Sequence, residues 1–269
     1  MSLQGKNIII TGATSGLGVK IASVLSNEGA SVFIGGRRAD RGQKVAEETN
    51  TSFHKVDVVD QDSNKNFFAA AEKFFGGPQS VDFILLNAGV EGDSSATMIQ
   101  SMDIEAYDYI YNVNVRGVML GMQFGTPLLR KGGTFVFTSS VASVMQFSGN
   151  PVYASSKAAV DSLARSYAAQ FAEAADERIK SLSVMTMNPT LFNTDLADRF
   201  TGKNKDALEG FAKMLNPCQR LGSAKELSTV IRNLVQGDLP YKSGEHFVID
   251  GDTHFPLNEY FSRLQEATA

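Results

Sequence analysis

The fold is decided by residues 7–18, which read Asn-Ile-Ile-Ile-Thr-Gly-Ala-Thr-Ser-Gly-Leu-Gly. The unbroken apolar run at the start is typical of a strand buried on both faces of a parallel sheet. Apolar residues then recur at helical spacing until Asn27-Glu28-Gly29 ends the helix. In such a strand–turn–helix unit, glycines let the backbone approach a ligand, and the helix N-terminus suits a pyrophosphate. A plain strand–helix turn is the alternative, but the context favours a dinucleotide site at Gly12, Thr14, Ser15, Gly16, Leu17 and Gly18.

Six further apolar runs are interpreted as strands, and helical patterns separate most of them. The predicted strands are Ser31–Gly35, Thr51–Val56, Val81–Leu86, Thr134–Thr138, Ser181–Met187 and His246–Ile249. The predicted helices are Ala39–Thr49, Gln61–Phe75, Asp103 to about Arg130, Asn150 to about Ala175, and Ala224–Val235. This alternation predicts right-handed βαβ units and an α/β fold, a Rossmann-type doubly wound parallel sheet of about seven strands with helices on both faces.

The sequence shows neither a repeat nor a linker, so residues 1–269 are expected to form a single domain. Its cofactor half would span about residues 1–135, and its catalytic and substrate half about residues 136–269. Residues 191–218 read as short helices on a flap that would cover a substrate.

Residues at the predicted strand ends indicate how a dinucleotide would be held. Ligands of parallel α/β sheets bind beyond the carboxyl ends of the strands, where this chain places Asp57, Val58, Asn87, Ala88 and Gly89. NAD-binding folds commonly carry an acidic residue about 20 positions beyond the glycines. Arg37 and Arg38 stand there instead, and a guanidinium is the natural partner of a 2′-phosphate. The sequence therefore favours NADP(H) over NAD(H), with a pair of solvated loop arginines as the alternative.

Residues 150–157 read Asn-Pro-Val-Tyr-Ala-Ser-Ser-Lys and begin a predicted helix with a favoured N-cap residue and an N1 proline. Tyr153 and Lys157 lie four residues apart, on one helix face. A neighbouring ammonium favours the phenolate, so it lowers the pKa of tyrosine from about 10. The pair is a candidate acid/base unit, although one Tyr-x-x-x-Lys match can arise by chance on an ordinary surface helix.

The composition argues against several classes of partner. A formal net charge of −4 gives no electrostatic reason to expect nucleic acid or an anionic membrane. Three scattered histidines and one cysteine offer no metal-ligand spacing, so no metal is expected. The lone Cys218 fits a reducing compartment, and the sequence lacks a signal-peptide pattern and an apolar run of about 20 residues. We expect a soluble, cytoplasmic protein.

Taken in order, these motifs resemble the short-chain dehydrogenase/reductase family, in its single-domain branch, from Lys6 to about Asp252. The family's Thr-Gly-x-x-x-Gly-x-Gly matches residues 11–18, its Asn-Ala-Gly matches residues 87–89, and its Tyr-x-x-x-Lys falls on Tyr153 and Lys157. Its helix asparagine falls on Asn114, and its serine, thirteen residues before the tyrosine, falls on Ser140. Two departures are Thr190 after Pro189, and Asp252, where the family commonly has glycine.

The resemblance implies hydride transfer between a nicotinamide and a carbonyl or alcohol carbon, and the arginines favour NADP(H) and the direction of carbonyl reduction. It implies Tyr153 as acid or base, Lys157 as the group that lowers the tyrosine pKa and binds the ribose, Ser140 as the oxyanion partner, and Asn114 as the holder of a water. It also implies cofactor contacts from Pro189, Thr190, Leu191 and Thr194. The expected substrate lining is apolar, which favours a neutral, fairly hydrophobic ketone, aldehyde or alcohol. It comprises Val90, Val141, Met145, Phe147, Leu191 and Phe192.

Three alternatives stay open at this point. The chain could be an NAD-dependent alcohol dehydrogenase of the same family, a non-catalytic dinucleotide-sensing protein on the same fold, or an isomerase or epimerase with a transient hydride step. The intact Ser, Tyr and Lys argue against the second, and the short chain argues against the third. By family analogy we expect a homotetramer or homodimer, with the predicted helices 103–130 and 153–175 at its interface.

Overall fold

The fold centres on a seven-stranded sheet in which all neighbouring strands are parallel, in the order β3-β2-β1-β4-β5-β6-β7. The computed structural model describes residues 2–145, 149–190, 192, 206, 209–210, 212–213, 218–236 and 243–249. The strands are β1 Asn7–Thr11, β2 Ser31–Gly36, β3 Ser52–Lys55, β4 Val81–Leu86, β5 Leu129–Thr138, β6 Ser183–Pro189 and β7 His246–Ile249. The predicted fold class is confirmed. The strand order reverses between β1 and β4, which is where such sheets bind ligands.

Helices cover both faces of this sheet and bury two separate cores. They are α1 Gly16–Asn27, α2 Ala39–Thr49, α3 Gln61–Phe75, α4 Ile104–Tyr111, α5 Gly117–Gly125, α6 Pro151–Ala172, α7 Glu177–Lys180 and α8 Ala224–Gln236. On β1, Ile8 and Ile10 enter the core under α1 and α8, whereas Ile9 enters the core under α3 and α6. All three side chains are fully buried, which explains why this strand reads as an unbroken apolar run rather than an alternating one.

The predicted helical stretch from Asp103 to about Arg130 is helical from Ile104 to Leu128, but it is not one regular α-helix. Helices α4 and α5 are joined by a π-helical turn, Asn112–Arg116, and a 3-10 turn, Thr126–Leu128, leads directly into β5. Strand β5 therefore begins at Leu129 rather than Thr134, because Leu129 pairs with Val81 before the register shifts across the two glycines. That long-range pairing leaves no local signal in the sequence. Other predicted strand and helix ends differ from the observed ones by a few residues at most.

The structure describes only part of the predicted substrate half. Outside the described residues lie most of the predicted flap and four of the residues named above: Phe147, Leu191, Thr194 and Asp252. Within the described ranges, no helix combines the length and apolar character that crossing a membrane requires.

Candidate active site

The glycine turn after β1 packs directly on the segment that leaves β4. Gly12 has a φ of +69°, and a Cβ at this position would lie 2.6 Å from the Cα of Ala88. The Asn87 side-chain amide donates to the carbonyls of Thr11 and Gly12, at 3.2 Å each. The Thr11 hydroxyl oxygen in turn accepts from the backbone N–H groups of Asn87 and Ala88. The two sequence motifs thus form one hydrogen-bonded unit, which holds the turn at the carboxyl edge of the sheet.

The same turn presents the features that a dinucleotide phosphate requires. A Cβ at Gly18, in the first turn of α1, would lie 2.6 Å from the carbonyl oxygen of Gly12, so only glycine allows this close packing. Ser15 precedes α1 in an extended conformation, and its side chain does not cap the helix. Its hydroxyl instead accepts from Arg38, 2.8 Å away. A helix N-terminus with an adjacent guanidinium fits a pyrophosphate or another anionic group.

The two arginines after β2 have different partners. Arg38 also donates to the hydroxyl and carbonyl oxygens of Thr14, whereas Arg37 donates to the Tyr109 hydroxyl of α4, at 3.3 Å. This hydrogen bond, and to a smaller extent the charge of Asp57, raises the pKa of Arg37. Both arginines are exposed at the carboxyl edge, so their guanidiniums border the space beyond β1 and β2.

The two predicted cofactor contacts after β3 differ in how their side chains are placed. Val58 is buried in the core, where its side chain packs against Gly117, while its carbonyl accepts from Asn64 at 2.9 Å. Asp57 is partly buried, and its carboxylate accepts from the Val59 N–H at 3.3 Å. A ligand at this edge would therefore meet Asp57 and the backbone of Val58 rather than the valine side chain.

Asn114 lies in the π-helical turn and joins the loop after β4 to α6. Its amide donates to the Val90 carbonyl at 2.8 Å and to the Ser156 hydroxyl at 2.9 Å, and its carbonyl oxygen accepts from the Val90 N–H at 2.8 Å. A Cβ on Gly89 would lie 3.1 Å from the Nζ atom of Lys157 and 3.3 Å from Oδ1 of Asn114. The structure thus brings Asn114, Lys157 and the Asn-Ala-Gly segment together. Such π-turns often occur at functional sites.

Helix α6 begins as the sequence predicts and carries the Tyr–Lys pair. The buried Asn150 caps it, since its Oδ1 atom accepts from the Tyr153 N–H at 3.0 Å and from the Thr97 hydroxyl at 2.9 Å. Lys157 is buried and donates from Nζ to the Thr138 carbonyl at 2.8 Å. The same Nζ atom lies 5.7 Å from the centroid of the Tyr153 ring. Ser140 hydrogen-bonds the Tyr153 phenol, whereas the hydroxyl of Ser139 is directed to the Lys157 carbonyl.

The electrostatics of this pair differ from the sequence prediction in one respect. Burial raises the pKa of Tyr153 to about 12, although the Ser140 hydrogen bond opposes this shift; the charge of Glu91 adds to it. Burial likewise lowers the pKa of Lys157 to about 8, against the opposing effect of Asp161. The predicted lowering of the tyrosine pKa is therefore not found in the protein alone. The Lys157 ammonium donates to the Thr138 carbonyl rather than to the phenol, so the effect of its charge is smaller than the effect of lost hydration at Tyr153.

The remaining predicted residues divide into two groups. Ser140 and Val141 are buried at the start of a 3-10 turn, Val141–Ser143, with the partly exposed Met145 just beyond it. Pro189 ends β6 at the same edge of the sheet, and the N–H of Thr190 donates to the Ile249 carbonyl. Phe192, in contrast, packs against Gly222 in the core under α1 and α8, a position typical of a structural residue rather than a substrate contact.

Sequence reasoning missed the polar residues that support the site from behind. Asp161 follows Lys157 by one helical turn and is buried, as is Asn188 near the end of β6. An acidic residue four positions after the lysine was the available signal, but the same spacing is common on solvated helix faces. Among the described residues, no group of three or more histidine, cysteine or acidic side chains is placed to hold a metal ion.

Comparisons with known proteins agree with this geometry. The family model for short chain dehydrogenase matches residues 6–205. An uncharacterized oxidoreductase of Bacillus subtilis, YxbG, is 30% identical over 93% of this chain and 91% of its own. The NADP-dependent (R)-specific alcohol dehydrogenase of Lentilactobacillus kefiri is 28% identical, over 93% of this chain and 96% of its own. The crystal structure of levodione reductase superimposes with a TM-score of 0.81 at 26% identity, covering 92% of this chain and 97% of its own. The chain belongs to the short-chain dehydrogenase/reductase family of NAD(P)-dependent oxidoreductases.

Proposed function

We propose that this protein reduces a neutral, fairly hydrophobic ketone or aldehyde with NADPH. The observation that carries the proposal is the meeting of Ser140, Tyr153, Lys157 and Asn114 beside the glycine turn. The pKa of Tyr153, about 12, keeps its phenol protonated at neutral pH. A protonated phenol suits reduction, because that direction requires a proton donor at the substrate oxygen.

The residues of the site have distinct tasks in this proposal. The bound dinucleotide would supply the hydride, and Gly12 to Gly18, Arg38, Asp57 and the Asn-Ala-Gly segment would hold it. Tyr153 gives its proton to the substrate oxygen, on which Ser140 stabilises the developing negative charge by a hydrogen bond. The ammonium of Lys157 stabilises the phenolate that remains, since an opposite charge at close range favours the ionised form. Asn114 holds the Val90 segment and α6 in register around these groups.

The cofactor preference rests on the two arginines. The carboxyl end of β2 lacks the carboxylate that would favour a free ribose 2′-hydroxyl, and Arg37 and Arg38 are both exposed at this edge. The alcohol dehydrogenase of Lentilactobacillus kefiri, which is NADP-dependent by name, supports the same choice. We expect a higher kcat/KM with NADPH than with NADH. Arg37→Ala should weaken NADPH binding by about tenfold, the equivalent of one charged hydrogen bond, and should leave NADH binding unchanged. Preference for NADH, undisturbed by this variant, would favour the NAD-dependent alternative.

The substrate class rests on the apolar residues next to Ser140. Val141 and Met145 are members of the predicted lining that the structure describes, whereas Phe147 lies outside the described residues. We expect turnover of an apolar ketone such as acetophenone, and little turnover of a phosphorylated or dicarboxylate substrate. Preferred turnover of the charged compounds would overturn this part of the proposal.

The decisive experiment removes a single oxygen atom. Tyr153→Phe should lower kcat by about three orders of magnitude, because the proton donor is lost, and should retain NADPH binding measured by nucleotide fluorescence. Ser155, on the exposed side of the same helix, provides the control, and Ser155→Ala should leave kcat unchanged. Full activity of Tyr153→Phe would sink the acid/base role, and binding without any turnover in the unaltered protein would favour the non-catalytic alternative.

A finer proposal concerns assembly and location. Large apolar side chains are exposed near and along α4 and α5, among them Ile99, Ile104 and Met119. Their burial against a second copy would support the predicted homodimer or homotetramer. Light scattering coupled to size-exclusion chromatography measures the assembly, and a monomer would contradict it. Cytoplasmic location remains a prediction from the cysteine content.

A further inference from the structure

A cluster of buried and partly buried polar side chains lies directly behind the Ser140 turn. We name it the Asp161 cluster, and its members are Ser143, Asp161, Thr186, Asn188 and His246. The Ser143 hydroxyl donates to Asp161 at 2.6 Å, and the Asn188 amide donates to both carboxylate oxygens, at 2.9 and 3.1 Å. The same amide also donates to the Ser143 hydroxyl oxygen at 2.9 Å. Asp161 itself is only 4% exposed.

The cluster continues toward β7 through Thr186 and His246. The Thr186 hydroxyl donates to the side-chain Oδ1 atom of Asn188 at 2.7 Å, so the hydroxyl oxygen is left to accept from Nδ1 of His246, 2.6 Å away. The other ring nitrogen of His246 faces the guanidinium of Arg165. Nδ1 of His246 also lies 3.7 Å from Asp161. Among the described residues, the titratable or charged groups shown to face Asp161 are thus His246 on β7, Lys157 on its own helix and, through His246, Arg165.

Each bond to Asp161 comes from an element that carries part of the active site. Ser143 ends the 3-10 turn that begins after Ser140. Asn188 directly precedes Pro189, at the end of β6. Asp161 itself follows Lys157 by four residues on α6, so the two side chains share one face of the helix that carries Tyr153. One carboxylate therefore connects the three segments on which the proposed reaction depends.

We propose that Asp161 is a positioning residue of this active site, which fixes the Ser140 turn and the end of β6 against the Tyr153–Lys157 face of α6. The proposal rests on the proposed roles of Ser140, Tyr153 and Lys157. A buried carboxylate is costly unless it is fully hydrogen-bonded, and apolar residues of similar volume often give equal stability. The donors to Asp161 indicate that it positions neighbouring segments, because Ser143 lies at the end of the turn after Ser140 and Asn188 lies at the end of β6.

The charge of Asp161 adds a second effect in the same place. Burial lowers the pKa of Lys157 to about 8, and Asp161 is the group that acts in the opposite direction. Removal of this negative charge should therefore lower the pKa of Lys157 further. The proposed reaction needs the ammonium form of Lys157, so the alkaline limb of its pH profile should move to lower pH.

The test compares three variants that are matched in kind. Asp161→Asn removes the charge and keeps the shape, whereas Ser143→Ala keeps the charge and removes the hydroxyl that contacts Asp161, Asn188 and the Ser140 carbonyl. Asp82→Asn is the control, because Asp82 is a buried carboxylate on β4, away from the carboxyl edge of the sheet, where it accepts from the Asn7 N–H and pairs with Lys6 and Arg130. For each we would measure kcat and KM with NADPH and a ketone, NADPH affinity, thermal stability, and the titration of Lys157 by NMR of ¹³C-labelled lysine.

We expect Asp161→Asn to lower kcat by about ten- to a hundredfold, as misplacement of a catalytic group does, and to shift the Lys157 titration to lower pH. Ser143→Ala should lower kcat by a smaller factor without that shift. Asp82→Asn should lower stability alone. If Asp161→Asn keeps the kcat and the Lys157 titration of the unaltered protein, the proposal is overturned. If Asp161→Asn fails to fold, unchanged kcat in Ser143→Ala overturns it.

These outcomes are separable from failure of the proposed function. If Tyr153→Phe is active, the proposed roles of the whole site are wrong. If Tyr153→Phe is inactive but Asp161→Asn and Ser143→Ala keep a normal kcat, only the proposed role of Asp161 is wrong. The NMR titration needs no substrate, so it tests the Asp161–Lys157 coupling whichever compound the enzyme reduces.

Discussion

The two halves of the carboxyl edge are built by different means. On the proposed cofactor side, the glycine turn of β1 and the Asn-Ala-Gly segment of β4 meet through backbone atoms, one asparagine amide and positions where a Cβ has no room. On the proposed catalytic side, buried polar side chains from the segment after β5, from β6, from α6 and from the π-helical turn form hydrogen bonds between these elements. The first half therefore depends on shape, and the second on how completely polar groups are hydrogen-bonded once water is excluded.

The largest effect expected from this contrast is that of Gly12→Ala on the cofactor side. The added Cβ would lie 2.6 Å from the Cα and 2.8 Å from the N of Ala88, both backbone atoms, at a φ of +69°. Steric overlap and left-handed strain together should lower the free energy of unfolding by about 3 to 5 kcal/mol. Chemical denaturation measures this loss, and nucleotide fluorescence should show weaker NADPH binding in whatever protein remains folded.

Gly76→Ala is the matched control for that prediction. Gly76 also has a positive φ, +86°, but a Cβ added there would meet nothing within 4 Å beyond its immediate chain neighbours, so the substitution adds strain without overlap. It should cost about 1 kcal/mol. Equal losses in the two variants would mean that backbone strain, and not the contact with Ala88, makes Gly12 necessary.

The same contrast explains which parts of the molecule can be predicted from the sequence. The predicted bounds of strand β4 are the observed ones because Gly76-Gly77-Pro78 and Asn87 enclose an apolar run, and the glycine turn is recognisable because its contacts are local. The start of β5 is not predictable, since it depends on pairing between Leu129 and Val81. Nor is the burial of Asp161, because an acidic residue on a helix becomes enclosed only after β6 and β7 are in place. Motifs locate the proposed reacting groups, but not the residues that hold them in place.

On the catalytic side, a smaller effect of opposite sign is expected from Lys157→Met. Folding lowers the pKa of this lysine from 10.5 to about 8, so its charge costs about 3 kcal/mol of stability at neutral pH. Loss of the hydrogen bond to the Thr138 carbonyl offsets about 1 to 2 kcal/mol of this gain. The variant should therefore be more stable than the unaltered protein by about 1 to 2 kcal/mol at pH 7 without nucleotide, and it should lose turnover.

The pH dependence gives this prediction its sharpest form. The cost of the charged lysine is fully present below pH 8 and disappears as the pH rises through 10.5, because the unfolded chain then also loses the proton. The stability gain of Lys157→Met should shrink over that interval. Lys131→Met, at an exposed lysine of β5, should change stability little at either pH. A destabilised Lys157→Met variant at pH 7 would show that the bond to Thr138 outweighs the cost of burial.

The smallest effect is expected on the cofactor side, where Tyr109→Phe removes the hydroxyl that accepts from Arg37 and leaves the rest of the sheet edge in place. The Arg37 guanidinium would then no longer be fixed by a hydrogen bond to α4. NADPH should therefore bind about two- to fivefold more weakly, while NADH binding stays the same. Tyr107→Phe is the matched control, since the Tyr107 ring stacks on Tyr111 on the same helix. Equal weakening of both nucleotides by Tyr109→Phe would place this tyrosine in general support of the helix. A loss confined to NADPH would show that even on the side built from backbone and glycine, one exposed side-chain contact selects the cofactor.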